Sequence, residues 1–489
     1  MTLREVVHRL GRAFQFAPIL LPLCVLLVTA PVLEPPLRLL READGKFARK
    51  EFALALDGYA SLATVAPRSA LPHLRLGQVH LAKARYDEAQ AEYDKALALD
   101  PGSIQALAGL GSALVEAGRY GESIFVLQRA LAGQPGLAEA RYHLGLALMR
   151  SNNVAQAGEQ FQVLLAQAGD SSHHRLWRQR THYRLAQIVL SERPDVAVAH
   201  LQEAASDQAD AEVAEQAALL LPTARAVSLH QDRPAYAAAL AGQALLRVQE
   251  TSLARQQLEK AVGLDPSYVD ALAYLGYAYW LGGAGGKAVD VLARAVALEP
   301  RAPVAQYFLG FVLARMDRLE AALVELERAA RLDPDNTYLW IELAGVLAAR
   351  GDYARAEVLF ERAGGLATDS ADVQLLVAKF YLDRFYMVEQ GLAVARAAAE
   401  KWPENAEVAS ELGWALYVNR RPEDARDALR KAVQLAPDLP EPHYRLGVVL
   451  EQLGGLAEAA VEYRRAVDLD RGTKLSERAR EALRGLGGR

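Results

Sequence analysis

A single cysteine, Cys24, stands in 489 residues, so neither an intrachain disulfide nor a cysteine-based zinc site can form. Positive charge is not in excess. Lys and Arg number 55 against 60 Asp and Glu, leaving −5, which offers no basis for neutralising nucleic-acid phosphates. Aromatics make up only 7% of the chain. Catalytic signatures are missing too: there is no G-x-S-x-G, no H-E-x-x-H and no kinase-like set. The segment Gly282-Gly283-Ala284-Gly285-Gly286-Lys287 resembles a phosphate loop only superficially. It lacks a Ser or Thr after the lysine, its glycine spacing is one short, and no strand is expected before it. His173, His174 and His182 have no carboxylate pair at helical spacing and read as a solvent-exposed insertion, not a metal site. The expectation is a non-enzyme with no cofactor, no metal and no nucleic-acid partner.

Long apolar runs are scarce as well, and the one present is at the N-terminus. Arg4, Arg9 and Arg12 in a basic tail (1–12) precede an uncharged stretch, 13–33, whose apolar heart is Ile19 to Val28. About 20 residues are needed to cross a bilayer core, so the run just reaches, although Pro18, Pro22 and Pro31 strain a helix. A cleaved signal peptide would use Val28-Thr29-Ala30, but Pro31 follows at once. A lipoprotein signal needs a small residue before Cys24, where Leu23 stands. An uncleaved single-pass anchor is the favoured reading. The basic tail favours a cytoplasmic N-terminus with the remainder extracytoplasmic; Arg38, Arg41, Lys46, Arg49 and Lys50 argue the reverse unless they are ordinary surface charges.

The rest of the chain is Ala- and Leu-rich and periodic. Gly77, Gly111 and Gly145 are 34 apart, and the step recurs through Gly242, Gly276, Gly310, Ala344 and Ala378, then from Gly413 to Gly447. Downstream of most come two small residues flanking a larger one: Ala89/Tyr93/Ala96, Ala254/Leu258/Ala261, Ala288/Leu292/Ala295, Ala322/Leu326/Ala329 and Ala425/Leu429/Ala432. A proline closes the unit at Pro101, Pro135, Pro266, Pro300, Pro334 and Pro437. Spacings of three, four and seven put these residues on one helical stripe, so each unit predicts two short amphipathic helices. Neither can bury its stripe alone, and stacking of units into a solenoid follows.

This pattern resembles the tetratricopeptide repeat. Leu272-x2-Leu275-Gly276-x2-Tyr279, Ala288-x3-Leu292, Ala295 and Pro300 match it almost throughout, and Trp340-x2-Leu343-Ala344 and His443-x2-Leu446-Gly447 match its first helix. About twelve units begin near 36, 70, 104, 138, 176, 235, 269, 303, 337, 371, 406 and 440. The resemblance implies an all-α, right-handed superhelical solenoid, here with an N-terminal transmembrane helix, like membrane-anchored bacterial scaffolds of that family. The organisation expected is an N-terminal arm (36–170), an irregular helical junction with one loose repeat (171–234), a C-terminal arm (235–471) and a capping helix and tail (473–489).

In this family partners lie along a concave face lined by the first helix of each unit. Carried onto this sequence, residues two or three before the packing glycine and one or four after it would face a partner. These are Tyr274, Tyr277 and Trp280 around Gly276; Tyr307, Phe308 and Phe311 around Gly310; and Trp414 and Tyr417 after Gly413, with Tyr338 six residues before Ala344. Aromatic anchors suit a protein or peptide partner, although several could simply fill gaps between Ala-rich units. The charged clamp some relatives place on a partner's C-terminal carboxylate is absent, since Leu74, Gln78, Gly109, Glu139 and His143 occupy the comparable sites. The expected function is assembly or organisation of a cell-envelope complex; the alternative is an extracytoplasmic protein binding glycan or lipid in polysaccharide export.

Overall fold

In the computed structural model, residues 36–167, 172–382, 387–470 and 473–487 are described, and every regular element among them is an α-helix. The expected basic tail and anchor, 1–12 and 13–33, lie outside the described residues. Among the described residues, no helix is long and apolar enough to cross a membrane. The chain divides into two compact units, Met1–Leu264 and Asp265–Arg489.

Among the described residues, the first unit starts with four helical hairpins: 36–48 with Phe52–Val65, Ala70–Ala82 with Tyr86–Leu99, Ile104–Glu116 with Tyr120–Gly133, and Ala138–Arg150 with Val154–Gln167. Next come the pair Ser172–Val189 and Pro194–Ser206, a single longer helix Ala211–Leu229 with Pro222 inside it, and the hairpin Pro234–Arg247 with Thr251–Leu264. The stretch that breaks the 34-residue step in sequence is thus helical and packed. Ala186, Ala197 and Ala204 are buried in the same apolar core as the neighbouring repeats. A polar contact adds to this core: the Gln179 side chain, fully buried, donates to the carbonyls of Ala204 and Asp207 and accepts from the Asp210 amide at 2.7 Å.

Among its described residues, the second unit holds six hairpins. Their first helices are Val269–Leu281, Pro303–Arg315, Thr337–Ala349, Ala371–Leu382, Ala406–Val418 and Pro440–Gln452. Their second helices are Gly285–Leu298, Leu319–Leu332, Tyr353–Leu366, Val388–Lys401, Pro422–Leu435 and Leu456–Leu469. Lys474–Gly487 closes it, burying Ala479 and turning Glu477, Arg478, Arg480, Glu481 and Arg484 to solvent.

Three local rules repeat through both units. Helices of 12–14 residues are marginal alone, and most hairpins close where a large side chain of the second helix packs directly on a glycine of the first. A Cβ on Gly276, Gly310 or Gly413 would come within 2.4–2.6 Å of the Leu292, Leu326 or Leu429 side chain, and one on Gly77, Gly145 or Gly447 within 2.5–2.7 Å of the Tyr93, Phe161 or Tyr463 ring. The flanking small residues, such as Ala322 and Ala329, are fully buried on either side of that large one.

The turn between the two helices carries one residue of positive φ at the same repeat position: Lys50, Ala84, Gly118, Asn152 and Gln249 in the first unit, and Gly283, Asp317, Gly351, Arg420 and Gly454 in the second. Gly283 sits there at +77°, so in the glycine-rich segment 282–287 residues 282–284 form an inter-helix turn preceded by a helix, and Gly285 opens the next helix. Glycine adopts this conformation without the steric cost a Cβ brings.

The third rule concerns the closing proline. At four of these prolines the residue six positions later donates to the proline carbonyl: Arg141 to Pro135 (2.5 Å), Gln306 to Pro300 (2.6 Å), Trp340 to Pro334 (2.8 Å) and His443 to Pro437 (3.0 Å); at Pro101 and Pro266 that residue is a leucine. Carbonyls freed where a helix ends need such donors. This explains why a tryptophan, a histidine and a glutamine can share one repeat position.

Candidate functional site: a half-buried aromatic face

On the first helices of the second unit, the side chains beside the packing glycines remain half-buried. Tyr277 stacks on Phe308 of the next repeat, with ring centroids 4.7 Å apart and planes 7° from parallel. Tyr274 meets the Phe308 ring edge-on at 5.4 Å, and Phe311 meets Tyr277 in the same way at 6.0 Å. Tyr307 tilts against both Phe308 and Phe311. The Arg315 guanidinium lies 4.4 Å from the centre of the Phe311 ring and forks onto Glu342, with both contacts 3.1 Å. Burial, reinforced by the Glu342 charge, pushes the Tyr307 hydroxyl up to about 12; burial, then Asp270, raises that of Tyr274. These hydroxyls stay neutral donors at physiological pH.

The nine residues singled out from sequence therefore fall into separate groups. Tyr274, Tyr277, Tyr307, Phe308 and Phe311 form one contiguous cluster. Tyr338, on the next first helix, is 56% exposed. Trp280 lies beside the turn of its own hairpin, where a Cβ on Gly285 would meet its ring at 3.5 Å. Trp414 and Tyr417 stack on each other at 5.1 Å two repeats beyond Tyr338, and the Arg445 guanidinium lies 5.5 Å from the Trp414 ring.

The stretch between the two aromatic groups holds features that a search for aromatics passes over. The position one after the packing residue runs Tyr277, Phe311, Gly345, Lys379, Trp414 and Val448 through the unit. At Gly345 it is bare, leaving an open hollow of about 600 Å³ lined by Arg315, Ile341, Glu342, Phe360, Lys379 and Phe380 among others. Beyond it, Glu411 is 2% exposed and bonds to Arg445 at 3.0 Å, while Arg445 also reaches Glu441 at 2.7 Å and Ser410. The step of 34 points to Gly345 and Lys379 as it points to Phe311. What conceals them is residue type.

In the first unit, His182 meets His200 with Nδ1 atoms 2.9 Å apart. Among the described residues, no three His, Cys, Asp or Glu gather in a way that could hold a metal ion.

Comparison with curated protein sequences finds no match. Among solved structures, the chain is similar to yeast Tom70, with 16% identity over 93% of this chain and 95% of that one and a TM-score of 0.42. It is similar also to a tetratricopeptide repeat protein from Parabacteroides merdae, with 12% identity, 52% of this chain and 98% of that one, and a TM-score of 0.42. Pseudomonas aeruginosa pilF shows 22% identity over 43% of this chain and 96% of that one, with a TM-score of 0.37. Three family models, each described as Tetratricopeptide repeat, match at 114–179 and 313–380; at 40–104, 74–137, 239–303 and 388–440; and at 440–473. Together they span most of residues 40–473, and the chain belongs to the tetratricopeptide-repeat family, whose repeats build scaffolds for protein–protein interaction.

Proposed function

We propose that this protein is a scaffold held at a membrane by residues 13–33, whose unit Asp265–Arg489 takes a peptide or short helix of a partner protein along the concave face formed by its first helices. Its role is to assemble or organise a cell-envelope complex. The observation that carries the binding reading is the contiguous cluster of Tyr274, Tyr277, Tyr307, Phe308 and Phe311, left half-buried across two repeats. Rigid aromatic rings that keep one face open bury large apolar area on a partner at little entropic cost, which makes them the usual anchors of an interface. Phe308 and Phe311, rings without a polar tip at the centre of the cluster, favour protein over glycan. Support for the anchor is the uncharged run after a basic tail, which also favours extracytoplasmic repeats.

The test is affinity capture from detergent-solubilised membranes with the full chain, compared with the variant Tyr277→Ala, Phe311→Ala, Trp414→Ala. Recovery of the same partners by both ends the binding reading. Release of the protein from membranes by a salt wash, without detergent, ends the anchor. Protease access to an N-terminal tag in intact cells decides the orientation.

A further inference from the structure

The aromatic cluster does not stop at Phe311. One repeat on, a Cβ built on Gly345 meets nothing within 4 Å, and the hollow above it is walled by Ile341, Phe360 and Phe380. Of the charges that line it, Arg315 and Glu342 are joined to each other and Lys379 remains, so the hollow is apolar between Ile341, Phe360 and Phe380 and carries one net positive charge. One repeat further, Lys379 lines this hollow and also a second one of about 310 Å³. The two hollows thus share Lys379 as a lining residue.

The second hollow has a different character. Glu407, Glu411, Glu441 and Asp470 line it with only Lys379 and Arg445 to offset them, four carboxylates against two cations. Arg445 is already occupied by Glu411, Glu441 and Ser410 and lies over Trp414. Glu407 is exposed and has no ion-pair partner among the described residues. The surface thus runs from an apolar, unfilled hollow to an anionic one.

We propose that the partner segment is amphipathic along its length. An aromatic or branched aliphatic side chain seats over Gly345, and a lysine or arginine of the same segment reaches the carboxylate of Glu407. The inference rests on the reading that this unit binds a peptide, and adds the chemistry of that peptide. Charge complementarity carries it: a cation gains from the net negative lining, whereas an acidic or phosphorylated segment meets like charge and is rejected.

The experiment is a selection of random displayed peptides of about 12 residues, which span about 40 Å when extended, on the full chain in detergent. The variant Tyr277→Ala, Phe311→Ala, Trp414→Ala serves as the counter-target. Enriched peptides should pair a Trp, Phe, Leu or Ile with a Lys or Arg. The strongest of them should bind about tenfold or more weakly to Gly345→Phe, whose new ring fills the hollow on an open helix face, and to Glu407→Lys. Exchanging its basic residue for Glu should restore binding to Glu407→Lys, with helicity unchanged in every variant. Enriched peptides without basic residues, or equal affinity for Glu407→Lys and the parent, overturn the charge assignment while leaving peptide binding intact. No enrichment of any peptide on the parent chain over bare support overturns both.

Discussion

Alanine in place of glycine should have opposite effects at Gly310 and Gly345, two mid-helix glycines on adjacent first helices. Replacing a helical Gly by Ala favours the helix by about 0.5–1 kcal/mol wherever the methyl has room. At Gly345 it has room, because nothing lies within 4 Å of the new carbon. At Gly310 it would sit 2.6 Å from Cγ and 2.9 Å from Cδ2 of Leu326, and 3.2 Å from the Ala322 carbonyl oxygen. Leu326 is fully buried, so it has no free space to move into. Overpacking of this kind costs about 1–3 kcal/mol, which outweighs the propensity gain. Both substitutions share the propensity term, so the difference between them isolates the packing term, about 1–3 kcal/mol. Repeat arrays need not unfold in one step, so the measurement is amide hydrogen exchange of residues 303–332 and 337–366, read as local opening free energies. Exchange in Gly310→Ala as slow as in the parent, or faster exchange in Gly345→Ala, refutes the argument.

Other outcomes follow from the same structure. Burial, then the His200 charge, pushes His182 down to about 4, and burial lowers His200 as well. With unfolded values near ~6.5, the unfolded chain binds more protons between those limits, so stability is full above ~6.5 and falls as pH drops towards about 4. Urea midpoints across that window should fall for the parent and fall less for His182→Gln; parallel profiles would sink the assignment. Arg445→Met strands the buried Glu411 carboxylate and should cost about 3–5 kcal/mol by chemical denaturation, with much of it recovered when Glu411→Leu is added. Gln179→Ala leaves the carbonyls of Ala204 and Asp207 without their donor, a loss of about 1–3 kcal/mol expected as faster exchange within 194–229. Unchanged exchange there would mean that water substitutes for the amide.

How much of this was legible beforehand depends on the kind of interaction. The step of 34 and the small-large-small triads located the helical hairpins because close backbone approach admits only glycine or alanine, a demand written in residue type. The turn at 282–284 was readable for the same reason: Gly283 takes a positive φ at the position where Gly118 and Gly351 also take it. Aromatic positions beside the packing glycines could likewise be named in advance.

Their grouping could not. Tyr277 and Phe308 are 31 residues apart, and only the stacking angle between repeats brings their rings parallel while setting Trp280 apart at a turn. The packed state of 172–229 was equally hidden, because it depends on Gln179 reaching carbonyls some 25–31 residues away, with no periodicity to announce it. Hairpins, turns and repeat boundaries are local, and the sequence by itself determined them through backbone geometry and the bulk of one side chain against another. The unfilled hollow over Gly345 and the carboxylates beyond it arise where successive repeats meet, so the tertiary structure alone decided them.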